Sequence, residues 1–178
     1  MARRILGAIL AGGRSTRFGS DKALALLDGR PLIEHAAGTL RPHVDEVVIC
    51  GRDDPRRTCL RDQPEPGMGP LGGLAAALLH ATDRGFDGVL STGCDMPALP
   101  ANLVQSLIGD GPAVVEGQQL IGYWPAHLAG TLLDHLARCE RRSIREWMAV
   151  VEPRILVPPE PLPNINRPED LAAWRDRG

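Results

Sequence analysis

Short apolar runs of strand length alternate along the chain with longer segments whose apolar residues recur at helical spacing. Ile5 to Leu10 is continuously apolar apart from Gly7, the pattern of a strand covered on both faces. After an Asp28-Gly29 turn, Pro31 suits the first turn of a helix carrying Leu32, Ile33, Ala36, Ala37 and Leu40. Val47-Val48-Ile49-Cys50 reads as a second strand. Leu71, Leu74, Ala75, Leu78 and Leu79 fall at i, i+3, i+4, i+7 and i+8, one face of a helix. Gly88 to Ser91 follows as a strand and Pro100 to Ile108 as a helix. Farther on, Ala113 to Val115 and Leu120-Ile121 read as strands, and Leu128, Leu132, Leu133, Leu136 and Ala137 mark a helix. Ser143 to Val150 is a shorter helix, Ile155 to Val157 a strand, and Pro168 to Trp174 a last helix.

Strands that alternate with helices in this way predict an α/β fold, a three-layer α/β/α sandwich with a mostly parallel sheet. In such sheets ligands sit beyond the carboxyl ends of the strands, so the loop after Leu10 and the segment after Thr92 are where chemistry is expected. No repeat of fixed period and no linker interrupts the pattern, and the proline-rich stretch Pro158 to Pro163 reads as an extended connection. Residues 1–178 are therefore expected to form a single domain.

Composition narrows the partners. With 20 Lys and Arg against 22 Asp and Glu, the formal charge of −2 excludes the broad basic surface that duplex nucleic acid or an anionic membrane requires. Six aromatic residues are too few for a base-stacking platform. No apolar run approaches the roughly 18 residues of a membrane span. The four cysteines show no CxxC spacing and read as buried free thiols in a reducing cytoplasm. The five histidines show neither HExxH nor a paired Cys/His arrangement, so no zinc site is expected.

The most informative stretch is Leu10-Ala11-Gly12-Gly13-Arg14-Ser15-Thr16-Arg17-Phe18-Gly19-Ser20-Asp21-Lys22. Its glycines let backbone N–H groups approach a ligand closely, and two arginines and a lysine add positive charge, which is the chemistry of a phosphate cradle. A Walker loop is not supported, because Gly19 is followed by Ser20-Asp21-Lys22 and not by Gly-Lys-Ser/Thr. The plainer alternative is a glycine turn with solvated charges. Gly67 to Gly72 formally satisfies GxGxxG, yet Pro64-Glu65-Pro66 stands where the fingerprint needs a strand, and Pro70 lacks an N–H. Asp95, just past the predicted strand end, is placed to hold Mg²⁺ between substrate phosphates, or else to cap a helix. Asn164 and Asn166 precede Pro168 and can cap the last helix. Asp62, seven residues before Gly69, reads on its own as a solvated loop aspartate.

Leu10-Ala11-Gly12-Gly13, Arg17, Gly19 and Asp21-Lys22 together resemble the opening signature of the molybdenum cofactor guanylyltransferases. Gly69-Pro70-Leu71-Gly72-Gly73 is similar to that family's GPLAG element, with Gly72 in place of alanine, and Cys94-Asp95-Met96-Pro97 to its CDxP element. Asn164 to Leu171 resembles the closing NxNTPEDL, with Arg167 in place of threonine. Gly122-Tyr123-Trp124-Pro125 resembles a GLWP element of one branch, although Gln118-Gln119 stands where that branch has His-Pro. Gly51 stands where the family often has an asparagine near the ribose.

The resemblance implies a Rossmann-like domain of the nucleotide-diphospho-sugar transferase type that transfers GMP from GTP to molybdopterin and releases pyrophosphate. It implies a nucleotide site at Leu10, Ala11, Gly12, Gly13, Lys22, Asp62, Gly69 and Asp95, with Mg²⁺ on Asp95, catalytic roles for Lys22, Arg17 and Asp95, and pterin contacts at Asn164 and Asn166. Expected partners are GTP, molybdopterin, and the cofactor-delivery proteins and molybdoenzymes downstream. Cytidylyl or other nucleotidyl transfer to the pterin or another small phosphate is the alternative reaction. A non-catalytic module that binds nucleotide or cofactor is the alternative of a different class.

Overall fold

The structure, a computed structural model, describes residues 3–12, 21–139 and 142–175. Strands β1 (Ile5–Leu10), β2 (Leu26–Leu27) and β3 (Arg30–Pro31) precede helix α1 (Leu32–Leu40). Strands β4 (Glu46–Cys50) and β5 (Cys59–Leu60) lead to α2 (Gly69–Arg84), β6 (Gly88–Gly93) and α3 (Ala101–Leu107). Then come β7 (Ala113–Val115), β8 (Gln118–Pro125), α4 (Ala129–Arg138), α5 (Ile144–Val151), β9 (Arg154–Leu156) and α6 (Pro168–Arg175).

A seven-stranded sheet runs in the order β5-β4-β1-β6-β8-β7-β9. Period-two alternation sorts its side chains. Leu6, Ala8 and Leu10 of β1 join Val48, Val89 and Trp124 under α2, α4 and α5. Ile5 and Ile9 join Ile49, Leu90 and Tyr123 under α1 and α3. Both faces are covered, which is why β1 reads as a continuous apolar run and all six residues of β6 are buried.

The sheet is mostly parallel, as expected, with β8 running antiparallel to both β6 and β7. Only Glu116 and Gly117 separate β7 from β8, and a parallel crossover needs about a dozen residues. Gly117 at φ 73 closes the hairpin. The reversal places Trp124 between the sheet and Trp147 of α5, both fully buried, and the Trp124 indole N–H donates to Ser91 Oγ at 2.9 Å. That bond accounts for a serine inside an apolar strand.

Asp28 and Gly29 both take positive φ and turn the short β2–β3 hairpin, a finer element than the turn expected there. β5, too short for periodicity to show, adds an edge strand beside β4. The cysteines are all free, yet only Cys50 is buried, whereas Cys59, Cys94 and Cys139 are partly exposed, which corrects the expectation of four buried thiols.

Candidate active site

Register sets the geometry of the site. Leu10 lies level with Cys50 of β4 and Gly93 of β6, so three parallel strands end on one line. The chain leaves β1 for β4 on one side and later returns to β6 on the other, which makes the end of β1 the switch point of the sheet. Two residues past that line stand Gly12, Arg52 and Asp95: bare backbone, a cation and a carboxylate.

The loops after β1 and β4 cross in close contact. Ala11 N–H donates to Cys50 O, and Gly51 N–H to Leu60 O, each at 3.0 Å. Gly51 has φ 82, and a Cβ there would lie 2.6 Å from Gly12 Cα. The asparagine suggested for this position by the resemblance would therefore require the loops to part.

Asp62 lies beneath this crossing. It is 9% exposed, which rules out a solvated loop position. Burial pushes its carboxyl pKa up, and the N–H groups of Gly67 and Met68 pull it back down. Its Oδ1 is buried without a hydrogen-bond partner. A cavity of about 330 Å³ opens here, lined in part by Gly51, Arg52, Leu60, Asp62 and Gly67, at the small end of ligand sites. Gly69 takes φ 70 to open α2, and Gly72 lets the helix close on Met68 and Asp62, since a Cβ at Gly72 would lie 2.3 Å from Met68 Cβ and 3.0 Å from Asp62 Cβ. Gly72 thus suits this packing where the family pattern has alanine. The GxGxxG stretch runs from a loop into the first turn of α2 and does not directly follow a strand, since β5 ends at Leu60 and α2 starts at Gly69.

Lys22 is the hub on the other side. Its Nζ donates to Asn166 Oδ1 at 2.8 Å and lies 3.5 Å from Asp95 Oδ2. The longer contact leaves Asp95 uncommitted, as charge-assisted bonds run nearer 2.8 Å. Asp95 does not cap α3, whose N-cap is Pro100. Its Oδ1 bends back over the end of β6, where only a glycine at 93 leaves it room: a Cβ there would sit 2.5 Å away. A lone carboxylate with free lone pairs, 28% exposed at a strand end, suits a hard cation that takes its remaining oxygens from phosphates and water.

The last segment straps across this site. Ile165, buried against Leu27 and Leu32, donates its N–H to Asp95 O at 2.9 Å. Asn166 does not cap α6 with its side chain. Asp170 does so from within, its Oδ2 accepting from the N–H groups of Asn166 and Arg167 at 2.8 Å each. Those bonds hold the Asp170 pKa below the usual carboxylate range and free the Asn166 amide for Lys22. Asn164 is partly buried one residue before the Ile165 anchor.

Arg52 is the residue that the sequence reading missed. Its guanidinium forks onto Asp21 with bonds of 2.8 and 2.7 Å, lowering the Asp21 pKa and raising its own. Asp21 also accepts from Ala23 N–H, starting the turn that presents Lys22. The available signal was position: an arginine two residues past a strand end. Gly13 and Arg17, expected at the site, lie outside the described residues. Tyr123 and Trp124 of the GLWP-like element are buried in the two cores.

A mostly parallel sheet with a cation and a carboxylate at its switch point, beside a glycine crossing, is a ligand site of the open α/β type, furnished for an anionic ligand with a divalent cation. Residues 7–155 match the MobA-like NTP transferase domain family. A molybdenum cofactor guanylyltransferase from Rhodobacter capsulatus is 36% identical, covering 98% of this chain and 96% of that protein. The chain belongs to this family of nucleotidyltransferases, among the molybdenum cofactor guanylyltransferases. In fold it is similar to molybdopterin-guanine dinucleotide biosynthesis protein A from Archaeoglobus fulgidus, with a TM-score of 0.73 and 20% identity over 97% of both chains. It also resembles Rv0371C from Mycobacterium tuberculosis, solved as a complex with manganese, with a TM-score of 0.69 and 14% identity over 98% and 100% of the two chains. Among the described residues no helix is long and apolar enough to cross a membrane.

Proposed function

We propose that this chain joins GTP to molybdopterin with Lys22, Asp62 and Asp95 as its working side chains and the Leu10-to-Gly12 and Gly69 backbone as the nucleotide seat. The observation that carries the reading is the Lys22, Asp95 and Asn166 cluster at the ends of β1 and β6, across the glycine crossing from buried Asp62.

In the reaction a terminal phosphate oxygen of the pterin attacks the α-phosphorus of GTP. The new O–P bond forms as the bond to the β-phosphate oxygen breaks, and pyrophosphate leaves with the electron pair. The attacking oxygen is already ionised, so no general base is required, and positioning and charge neutralisation carry the catalysis. Lys22 places a positive charge where charge builds on the α-phosphate and the departing pyrophosphate. Asp62, an acceptor with an unused buried oxygen, suits the N1–H and N2–H₂ edge of guanine. Asn164 and Asn166 lie on the strap that borders the acceptor side. Arg17 is assigned to the phosphates by resemblance alone. Mg²⁺ bound at Asp95 would neutralise phosphate charge, and the manganese complex of the Mycobacterium tuberculosis protein supports a divalent cation in this fold. The reaction belongs in the cytoplasm, where GTP is supplied, with cofactor-delivery proteins and molybdoenzymes as recipients.

Single-turnover transfer by Asp95→Asn tests the assignment. The variant is expected to keep its fold and lose turnover with Mg²⁺. Wild-type rates would overturn the role of Asp95.

A further inference from the structure

We propose that His135, Cys139 and Glu146 form a second cation site that takes Zn²⁺, remote from the Mg²⁺ chemistry at Asp95. Their ligand atoms all lie within 4.8 Å of one another, the one such group among the described residues. The sequence reading expected no paired Cys/His arrangement. The pair exists because His135 and Cys139 are four residues apart at the end of α4 and so share a face, while Glu146 is brought to them in the first turn of α5.

Geometry and chemistry agree. His135 Nδ1 and Cys139 Sγ are 3.5 Å apart. Zinc–nitrogen and zinc–sulfur bonds of about 2.0 and 2.3 Å at a tetrahedral angle put the two ligand atoms about 3.5 Å apart. His135 is 8% exposed, so its Nδ1 faces Cys139 Sγ with little access to water. A thiolate and a carboxylate would balance the 2+ charge, with the Cys139 proton released to solvent on binding. Thiolate and imidazole favour a borderline ion over Mg²⁺, and three protein ligands with Cys139 and Glu146 partly exposed leave the fourth position to water.

The site would do more than join two helices. Arg142, between Cys139 and Glu146, pairs with Glu65 at 3.5 Å, in the loop that leads from Asp62 to α2. A cation holding both flanks of Arg142 would steady that contact beside the nucleotide cavity.

The test uses the full chain, stripped by a chelator under reducing conditions and titrated with Zn²⁺ against a chromophoric competitor, then with Co²⁺. One equivalent of Zn²⁺ is expected, along with a thiolate-to-cobalt absorption band and a change in fluorescence from Trp147, whose ring lies 5.7 Å from that of His135. Cys139→Ser should abolish the band, and Glu146→Gln should weaken Zn²⁺ at least tenfold, both with unchanged circular dichroism. Failure of the wild-type chain to retain one equivalent would overturn the site. So would wild-type affinity in Cys139→Ser, because Cys50, Cys59 and Cys94 remain in that variant. The readout is metal binding, so the result is independent of whether transfer proceeds as proposed.

Discussion

Gly51→Ala puts the glycine crossing under direct strain. A Cβ at this position would sit 2.6 Å from Gly12 Cα, 2.9 Å from Gly12 N and 3.3 Å from Asp62 Oδ1, at φ 82. Ordinary carbon contacts begin near 3.5 Å, so the loops after β1 and β4 must separate by about 1 Å. The left-handed backbone costs about 1–2 kcal/mol and the overpacking about 1–3 kcal/mol, together roughly 2–5 kcal/mol. For a chain of this size each kcal/mol lowers Tm by about 2–4 °C, so a fall of roughly 4–20 °C is expected. Gly117→Ala supplies the control, because Gly117 has φ 73 and nothing within 4 Å of its would-be Cβ. It should show only the backbone cost, about 1–2 kcal/mol. Both variants gain equally from a stiffer unfolded chain, so their difference isolates the crossing. A displacement of about 1 Å at a reacting centre costs on the order of 100-fold in rate, and single-turnover transfer should fall by that much in Gly51→Ala alone. Calorimetry and transfer rates that match between the two variants would refute the idea that the crossing seats the nucleotide.

Lys22→Ala should lower kcat/KM by about 10²–10³-fold with little change in melting temperature, and a loss below about fivefold would remove Lys22 from the transition state. Asp21 and Asp170 have pKa values depressed in the fold, chiefly by the Arg52 guanidinium and by the N–H of Asn166 respectively. Their stabilisation is present above the ordinary value of 3.8 and lost as pH falls through the folded values, so Asp21→Asn and Asp170→Asn should each flatten the acid limb of a stability–pH curve. Asp62 carries the opposite sign. Burial raises its pKa, so the free protein loses stability as pH rises through the folded value, and Asp62→Asn should erase that loss in denaturant melts across the same range.

The order of strands and helices was legible because both sheet faces are covered: the runs at Ile5–Leu10 and Gly88–Gly93 are long enough to stand out. β5 was not, because two residues carry no period. The direction of β8 could not be read from its pattern, since pairing sense depends on the length of the connection and not on side-chain alternation. At the site, Lys22 and Asp95 stood out as charged residues near glycines and a strand end, whereas Asp62 was reached only through the family resemblance. Arg52 did not stand out, because its role depends on a fork to Asp21 across 31 positions of sequence. The cap of α6 was left open between polar side chains for a related reason: several near a helix start can cap it, and only geometry shows that Asp170 does. The His135–Cys139 pair was passed over despite its four-residue spacing, because two such residues make no site until the packing of α5 beside α4 brings Glu146 to them.

Pyrophosphate release by the purified chain with GTP, Mg²⁺ and molybdopterin tests guanylyl transfer most directly. One pyrophosphate per guanine dinucleotide is expected, with none when the pterin is omitted and little when CTP replaces GTP. GTP binding without pyrophosphate release would contradict transfer, and CTP used as readily as GTP would contradict the guanine assignment of Asp62.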